Sequence, residues 1–131
     1  MAQPKYRRGQ IQMRETAVKR LLQENWAAVF GNIEVAGKEV QAVTTKHRVD
    51  FLGFDRCRGC LVAIEVKAHT SQSIEKAIRQ VWRYMQMFRA EYGILVGPWE
   101  DREFKASQHN GVWYVDIMSF LGLPFHSWRR G

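Results

Sequence analysis

Apolar residues in the first part of the chain recur at helical spacing. Ile11, Val18, Leu22 and Val29 line one stripe, which predicts a helix over residues 10–30 that Gly31-Asn32 stops. Beyond it the apolar runs shorten. Residues 33–35, 39–44, 48–54 and 61–68 are predicted as strands, with residues 56–59 as the hairpin turn between the last two. A second helix is predicted over residues 73–91, on the stripe Ile74, Ile78, Val81, Met85 and Phe88. Residues 93–97 read as a short buried strand closed by Pro98. Asn110-Gly111 is the strongest short-range hairpin signal in the chain and turns a final hairpin. The order of helix, strands, helix, strand, strand implies an α/β fold, a mixed central sheet flanked by helices in one domain over residues 1–131. Residues 1–9, with Lys5, Arg7 and Arg8 before Gly9, read as a flexible basic arm.

Composition sharpens the picture. Hydrophobic residues make up 46% of the 131, enough for a core without disulfides or structural metal. Twenty Lys and Arg against thirteen Asp and Glu leave a net charge of +7, and a domain so charged attracts polyanions, of which nucleic acid is the commonest. No apolar stretch approaches a membrane span, and the polar, basic N-terminus has no apolar region of the kind a signal peptide carries. A soluble, intracellular, cytoplasmic protein with no membrane partner is expected, and two cysteines fit a reducing compartment.

The chemistry concentrates in Leu61-Val62-Ala63-Ile64-Glu65-Val66-Lys67. The run begins continuously apolar, as in a strand buried on both faces, then places Glu65 and Lys67 on one face. Charges at the end of a buried strand cost desolvation energy, which a metal ion and a phosphate would offset. Asp50 lies on the preceding strand. A turn at Cys57-Arg58 sets it opposite Glu65; a turn at Arg58-Gly59 sets it opposite Lys67. Residues directly opposite share a face with Cβ atoms about 5 Å apart, so either register gathers the three charges. The competing reading is a cross-strand ion-pair cluster at a sheet end. Glu15 falls at the edge of the first helix's core stripe, either as a fourth member of the group or as a partner of Lys19 at i+4.

Asp50, a hairpin and then Glu65-Val66-Lys67 resemble the D…ExK core of the PD-(D/E)XK nuclease superfamily, with Val49 in the place of that family's variable proline. Gln80 and Tyr84, at i and i+4 on the second helix, resemble the QxxxY element of RecB-type nucleases. Arg7-Arg8-Gly9, Glu15 and the compact length are similar to archaeal Holliday-junction resolvases. The resemblance implies a restriction-endonuclease-like αβββαβ core and a Mg²⁺-dependent DNA nuclease, endonuclease or exonuclease, with Mn²⁺ as a substitute metal. It implies that Asp50, Glu65 and the backbone carbonyl of Val66 hold the metal, with Glu15 contributing through water. Lys67 would orient the attacking water or stabilise the transition state, and Gln80 and Tyr84 would line the site. The alternatives are a non-catalytic DNA-binding module or a structural subunit that retains the fold. Cleavage of both strands of a duplex commonly needs two sites, so a homodimer is expected.

Weaker signals surround this core. Cys57-x-x-Cys60 has the spacing of half a metal site, but no second pair completes it, so both read as turn cysteines. His69 and His47 flank the charged group as second-rank candidates. Arg48, Arg79 and Arg83 are expected to contact phosphates, together with the arm residues Lys5, Arg7 and Arg8. Trp82, Trp99, Trp113, Tyr114 and Trp128 could stack on bases, though packing is the better reading of Trp113 and Tyr114.

Overall fold

In the computed structural model, which describes residues 14–42, 47–67, 74–97, 106–109 and 111–117, the apolar stripes close over both faces of one six-stranded sheet. Two short helices, α1 (Glu15–Glu24) and α2 (Trp26–Val29), lead into strands β1 (Ile33–Gln41), β2 (Arg48–Asp55) and β3 (Cys60–Val66). Helix α3 (Ile74–Phe88) and strands β4 (Tyr92–Gly97), β5 (Ala106–His109) and β6 (Val112–Asp116) are the remaining elements among the described residues. The sheet order is β1-β2-β3-β4-β6-β5. Strands β1, β2 and β3 form an antiparallel meander, β3, β4 and β6 run parallel, and β5 returns antiparallel on β6. Helix α3 supplies the crossover that a parallel β3–β4 pair requires. This is the expected α/β architecture.

Strand β3 shows why the pattern folds this way. Val62, Ile64 and Val66 pack under Val18 and Leu22 of α1 and Val29 of α2. Ala63 faces the other way, with Leu95 and Tyr114, against Ala77, Ile78, Val81 and Met85 of α3. A Cβ at Gly93 would collide with Val81 and press on Met85 Sδ, so this glycine lets α3 lie close on the sheet.

Three local predictions need correction. The single helix over residues 10–30 is two helices as far as it is described, broken at Asn25 (φ −123°, ψ 24°). The Asn25 side-chain amide donates to Leu21 O at 2.9 Å, and Trp26 Nε1 donates to Ile33 O at 2.7 Å while its ring packs on Phe30 and Phe51. Contacts with the sheet therefore set the break. The two strands expected over residues 33–35 and 39–44 are one strand through residue 41, carrying a bulge between Val35 and Gly37. Helix α3 stops at Phe88, where Arg89 turns left-handed (φ 56°) and Ala90 N–H closes on Met85 O at 2.9 Å.

Candidate active site

The hairpin between β2 and β3 places the central acids. Its tip is a four-residue turn over residues 56–59, longer than either two-residue turn considered, with Gly59 left-handed at φ 67°. Asp55 organises it: Oδ1 accepts Cys57 N–H at 2.9 Å and Arg58 N–H at 3.0 Å, and Oδ2 accepts the Tyr92 hydroxyl. Asp55 pairs with Cys60, and the ladder runs on to Phe51 opposite Ile64. One step further, this register sets Asp50 opposite Glu65 rather than Lys67.

Beyond Phe51 and Ile64 the side chains take over the ladder. Asp50 N–H donates to Glu65 Oε1 at 3.2 Å, and Val66 N–H donates to Asp50 Oδ2 at 2.7 Å. Both acids are buried, with relative exposures of 5% for Asp50 and 4% for Glu65. Burial first, and then the charge of Asp50, push the Glu65 carboxyl up to about 8. The Asp50 N–H and Lys67, whose ammonium lies 3.7 Å from Glu65 Oε2, act in the opposite direction without cancelling the shift.

Lys19 is the residue that sequence reasoning missed. From α1 its ammonium reaches Asp50 Oδ1 at 2.8 Å, Glu39 Oε2 at 2.9 Å and Glu15 Oε2 at 3.4 Å. Burial works against its charge, but the bonds to Asp50 and Glu39 and their negative field outweigh it and hold Lys19 above the ordinary lysine range. The Glu15–Lys19 spacing was legible at i and i+4. The contacts to Asp50 and Glu39 were not, because they depend on where α1 lands and on the strand bearing Glu39, a non-glycine residue at φ 50°. Glu15 is half-buried and joins the acids through Lys19.

Beside the acid pair opens a cleft of about 330 Å³, which brings together Lys67, Arg79, Gln80, Arg83 and Tyr84. His47, Lys76 and Met87 complete its lining. Gln80 Nε2 donates to the Tyr84 hydroxyl at 3.1 Å. Burial first, then the charge of Glu65, push the Tyr84 hydroxyl up, which places it within the field of the acids. Arg48 is exposed at the start of β2. Trp82 is exposed on α3, Trp113 is partly exposed, and Tyr114 is fully buried in the core. Cys57 and Cys60 are free thiols at the hairpin tip. Burial, and then the charges of Glu91 and Asp55, push the Cys60 thiol up, which disfavours a reactive thiolate. Lys5, Arg7, Arg8, His69, Trp99 and Trp128 lie outside the described residues.

Among the described residues no group of three or more His, Cys, Asp or Glu side chains stands arranged to hold a metal. The donor set is two buried carboxylates, Asp50 and Glu65. That set fits a small hard cation that keeps several of its waters, as Mg²⁺ does. The ammonium lodged on Asp50 shows that the spot takes positive charge.

The model of the family described as "Type I restriction enzyme R protein N terminus (HSDR_N)" matches residues 11–117. A solved structure, the "EndoMS-dsDNA2 complex", superposes with a TM-score of 0.53 at 22% sequence identity. The match covers 87% of this chain and 44% of that one, so the chain spans less than half the length of this neighbour. The likeness is one of fold. Among curated proteins none matches.

Proposed function

The chain belongs to the family of the type I restriction enzyme R protein N terminus, and from that premise we propose that it is a Mg²⁺-dependent DNA nuclease of the PD-(D/E)XK type. The observation that carries the reading is the pair of buried acids bracing the open end of the β2–β3 ladder, beside a cleft walled by cations. Asp50, Glu65 and the Val66 carbonyl would hold the metal, with Glu15 acting through water. A bound Mg²⁺ would supply an activated water and neutralise charge developing on the scissile phosphate.

The remaining roles fall to the chain's own groups. Lys67 stands between Glu65 and the cleft, where its ammonium can hold the attacking water or a phosphate oxygen. Arg79 and Arg83, with Lys76 alongside, would take flanking phosphates and fix the register of the strand. Tyr84, held by Gln80, closes the inner wall of the cleft and would keep water from the acids on the α3 side.

The test is Glu65→Ala, assayed with Mg²⁺ and Mn²⁺ on linear duplex, single strand, flap and four-way junction. Cleavage should fall to background, while DNA binding without metal holds, because Glu65, raised to about 8, carries little charge in the metal-free protein near neutral pH. Wild-type protein that cuts nothing Glu65→Ala leaves uncut would overturn the enzyme reading. A non-catalytic DNA-binding module is then the better account. One observation favours it already: Lys19 neutralises Asp50 from within the protein.

A further inference from the structure

Asp50 has both carboxylate oxygens engaged. Oδ2 accepts the Val66 N–H at 2.7 Å, and Oδ1 faces the Lys19 ammonium at 2.8 Å. The first contact is to backbone at the end of the ladder and is fixed by the hairpin. The second comes from a side chain on another element, and it is the contact that can move. The Lys19 side chain is 18% exposed, so its ammonium is largely removed from water and needs its carboxylate neighbours.

Those neighbours are arranged unequally. Asp50 is buried, whereas Glu39 and Glu15, at 2.9 and 3.4 Å from the same ammonium, have side chains 52% and 42% exposed. If the ammonium swings outward it leaves Asp50 and keeps the other two. Displacement then strands no buried cation, and the lost contact is replaced at Asp50 by whatever cation arrives. Without Glu39 the same movement would leave Lys19 with a single, longer ion pair. The left-handed backbone at Glu39 (φ 50°) is the unusual conformation that sets its side chain there.

We propose that Lys19 is an internal counter-ion that competes with the divalent metal for Asp50 Oδ1 and shifts to Glu39 and Glu15 when the metal binds, so that α1 and β1 set the metal affinity. The inference rests on the reading of Asp50 and Glu65 as metal ligands. A divalent ion on Asp50 would otherwise stand within a few Å of an ammonium in a poorly solvated site, where like charges repel strongly. The competitor also holds Asp50 in place before the metal arrives, which keeps a buried acid from disrupting the metal-free fold.

The experiment is calorimetric titration of the DNA-free full chain with Mg²⁺ and with Mn²⁺. Lys19→Met should bind metal about tenfold more tightly than wild type, equivalent to ~1.4 kcal/mol. Lys67→Met removes a cation that stands at a longer 3.7 Å from the other proposed ligand, Glu65, and makes no ion pair with Asp50, and should gain no more than about twofold. Glu39→Gln should weaken binding about threefold when Lys19 is present and change nothing in the Lys19→Met background. A bulk charge effect would instead weaken binding equally in both backgrounds, and that result overturns the proposal.

Lys19→Met leaves Asp50 buried without its cation. Should that variant be unfolded in the absence of metal, added Mg²⁺ is expected to refold it, since the ion replaces the ammonium; a chain that stays unfolded at saturating Mg²⁺ contradicts the inference. The two levels of failure separate cleanly. Absence of metal binding in both wild type and Lys19→Met sinks the metal-site reading itself. Wild-type binding that Lys19→Met improves no more than Lys67→Met does leaves the metal site standing and removes Lys19 as its competitor.

Discussion

The two ends of the β2–β3 hairpin each bury an acid, and they treat it in opposite ways. At the tip, Asp55 meets donors on both oxygens: two backbone N–H groups of the turn and the Tyr92 hydroxyl. The Tyr92 hydrogen bond first, and then the turn N–H groups, hold its carboxyl below the usual range against the cost of burial. Arg58, lying over the Tyr92 ring at 5.3 Å and paired with Glu91 at 3.0 Å, closes that end off. At the open end, Glu65 shares its space with Asp50 and is pushed up to about 8. One acid is satisfied by the fold. In the other pair Lys19 balances Asp50, while burial and the nearby Asp50 charge push Glu65 toward its neutral form. The contrast separates a carboxylate that specifies structure from carboxylates proposed to hold a cation.

The largest expected effects exchange the two ends. On the proposed reading, Asp50→Asn should lower Mg²⁺-dependent cleavage by about a thousandfold or more, because it withdraws a proposed metal ligand, while the protein stays folded. Asp55→Asn should leave cleavage per folded molecule within a few-fold of wild type and cost about 2 kcal/mol of stability, since it weakens the acceptor for three donors. Turnover assays and denaturant melts on both variants check the pair. Equal loss of activity in the two would erase the distinction.

The next effect is on stability as a function of pH, with opposite sign at the two ends. Glu65 is raised above its ordinary value of 4.5 to about 8 in the folded protein. Its contribution is therefore fully present below the ordinary value and lost as pH rises through about 8. Asp55 is lowered below its ordinary 3.8, so its contribution is present above that value and lost as pH falls through the depressed one. Thermal melts of metal-free protein should show destabilisation from about pH 4.5 to about 8 that Glu65→Gln flattens, and an acid limb that Asp55→Asn flattens. Saturating Mg²⁺ should remove the first and leave the second. A Glu65→Gln profile that still falls with rising pH would refute the assignment.

The smallest effect concerns the cleft next to the open end. Arg79→Ala and Arg83→Ala should each weaken DNA binding several-fold, alike across sequences, and reduce the salt slope of the binding constant by about 1. Arg58→Ala at the tip should leave that slope unchanged. Fluorescence titrations at several salt concentrations decide between them.

Much of this was legible in the residue order because it depends on local periodicity. The α3 stripe of Ile78, Val81 and Met85, the continuously apolar run of β3 and the hairpin turning at Gly111 follow from residue order alone. The same order put Glu65 and Lys67 on one face and Asp50 on the neighbouring strand. The pairing of Asp50 with Glu65 rather than Lys67 was decided elsewhere, by a four-residue turn wrapped on Asp55 and tied to Tyr92, 37 residues further along the chain. The break at Asn25 answers to Trp26 packing on Phe51 of the sheet. Lys19 reads as an ordinary helix-surface lysine until α1 docks and sets its ammonium on Asp50, which no pattern within the helix specifies. Periodicity settles which face a residue takes, because it is a property of the backbone repeat. The identity of the group across the gap depends on how separate elements pack, and that is decided only when the whole core closes.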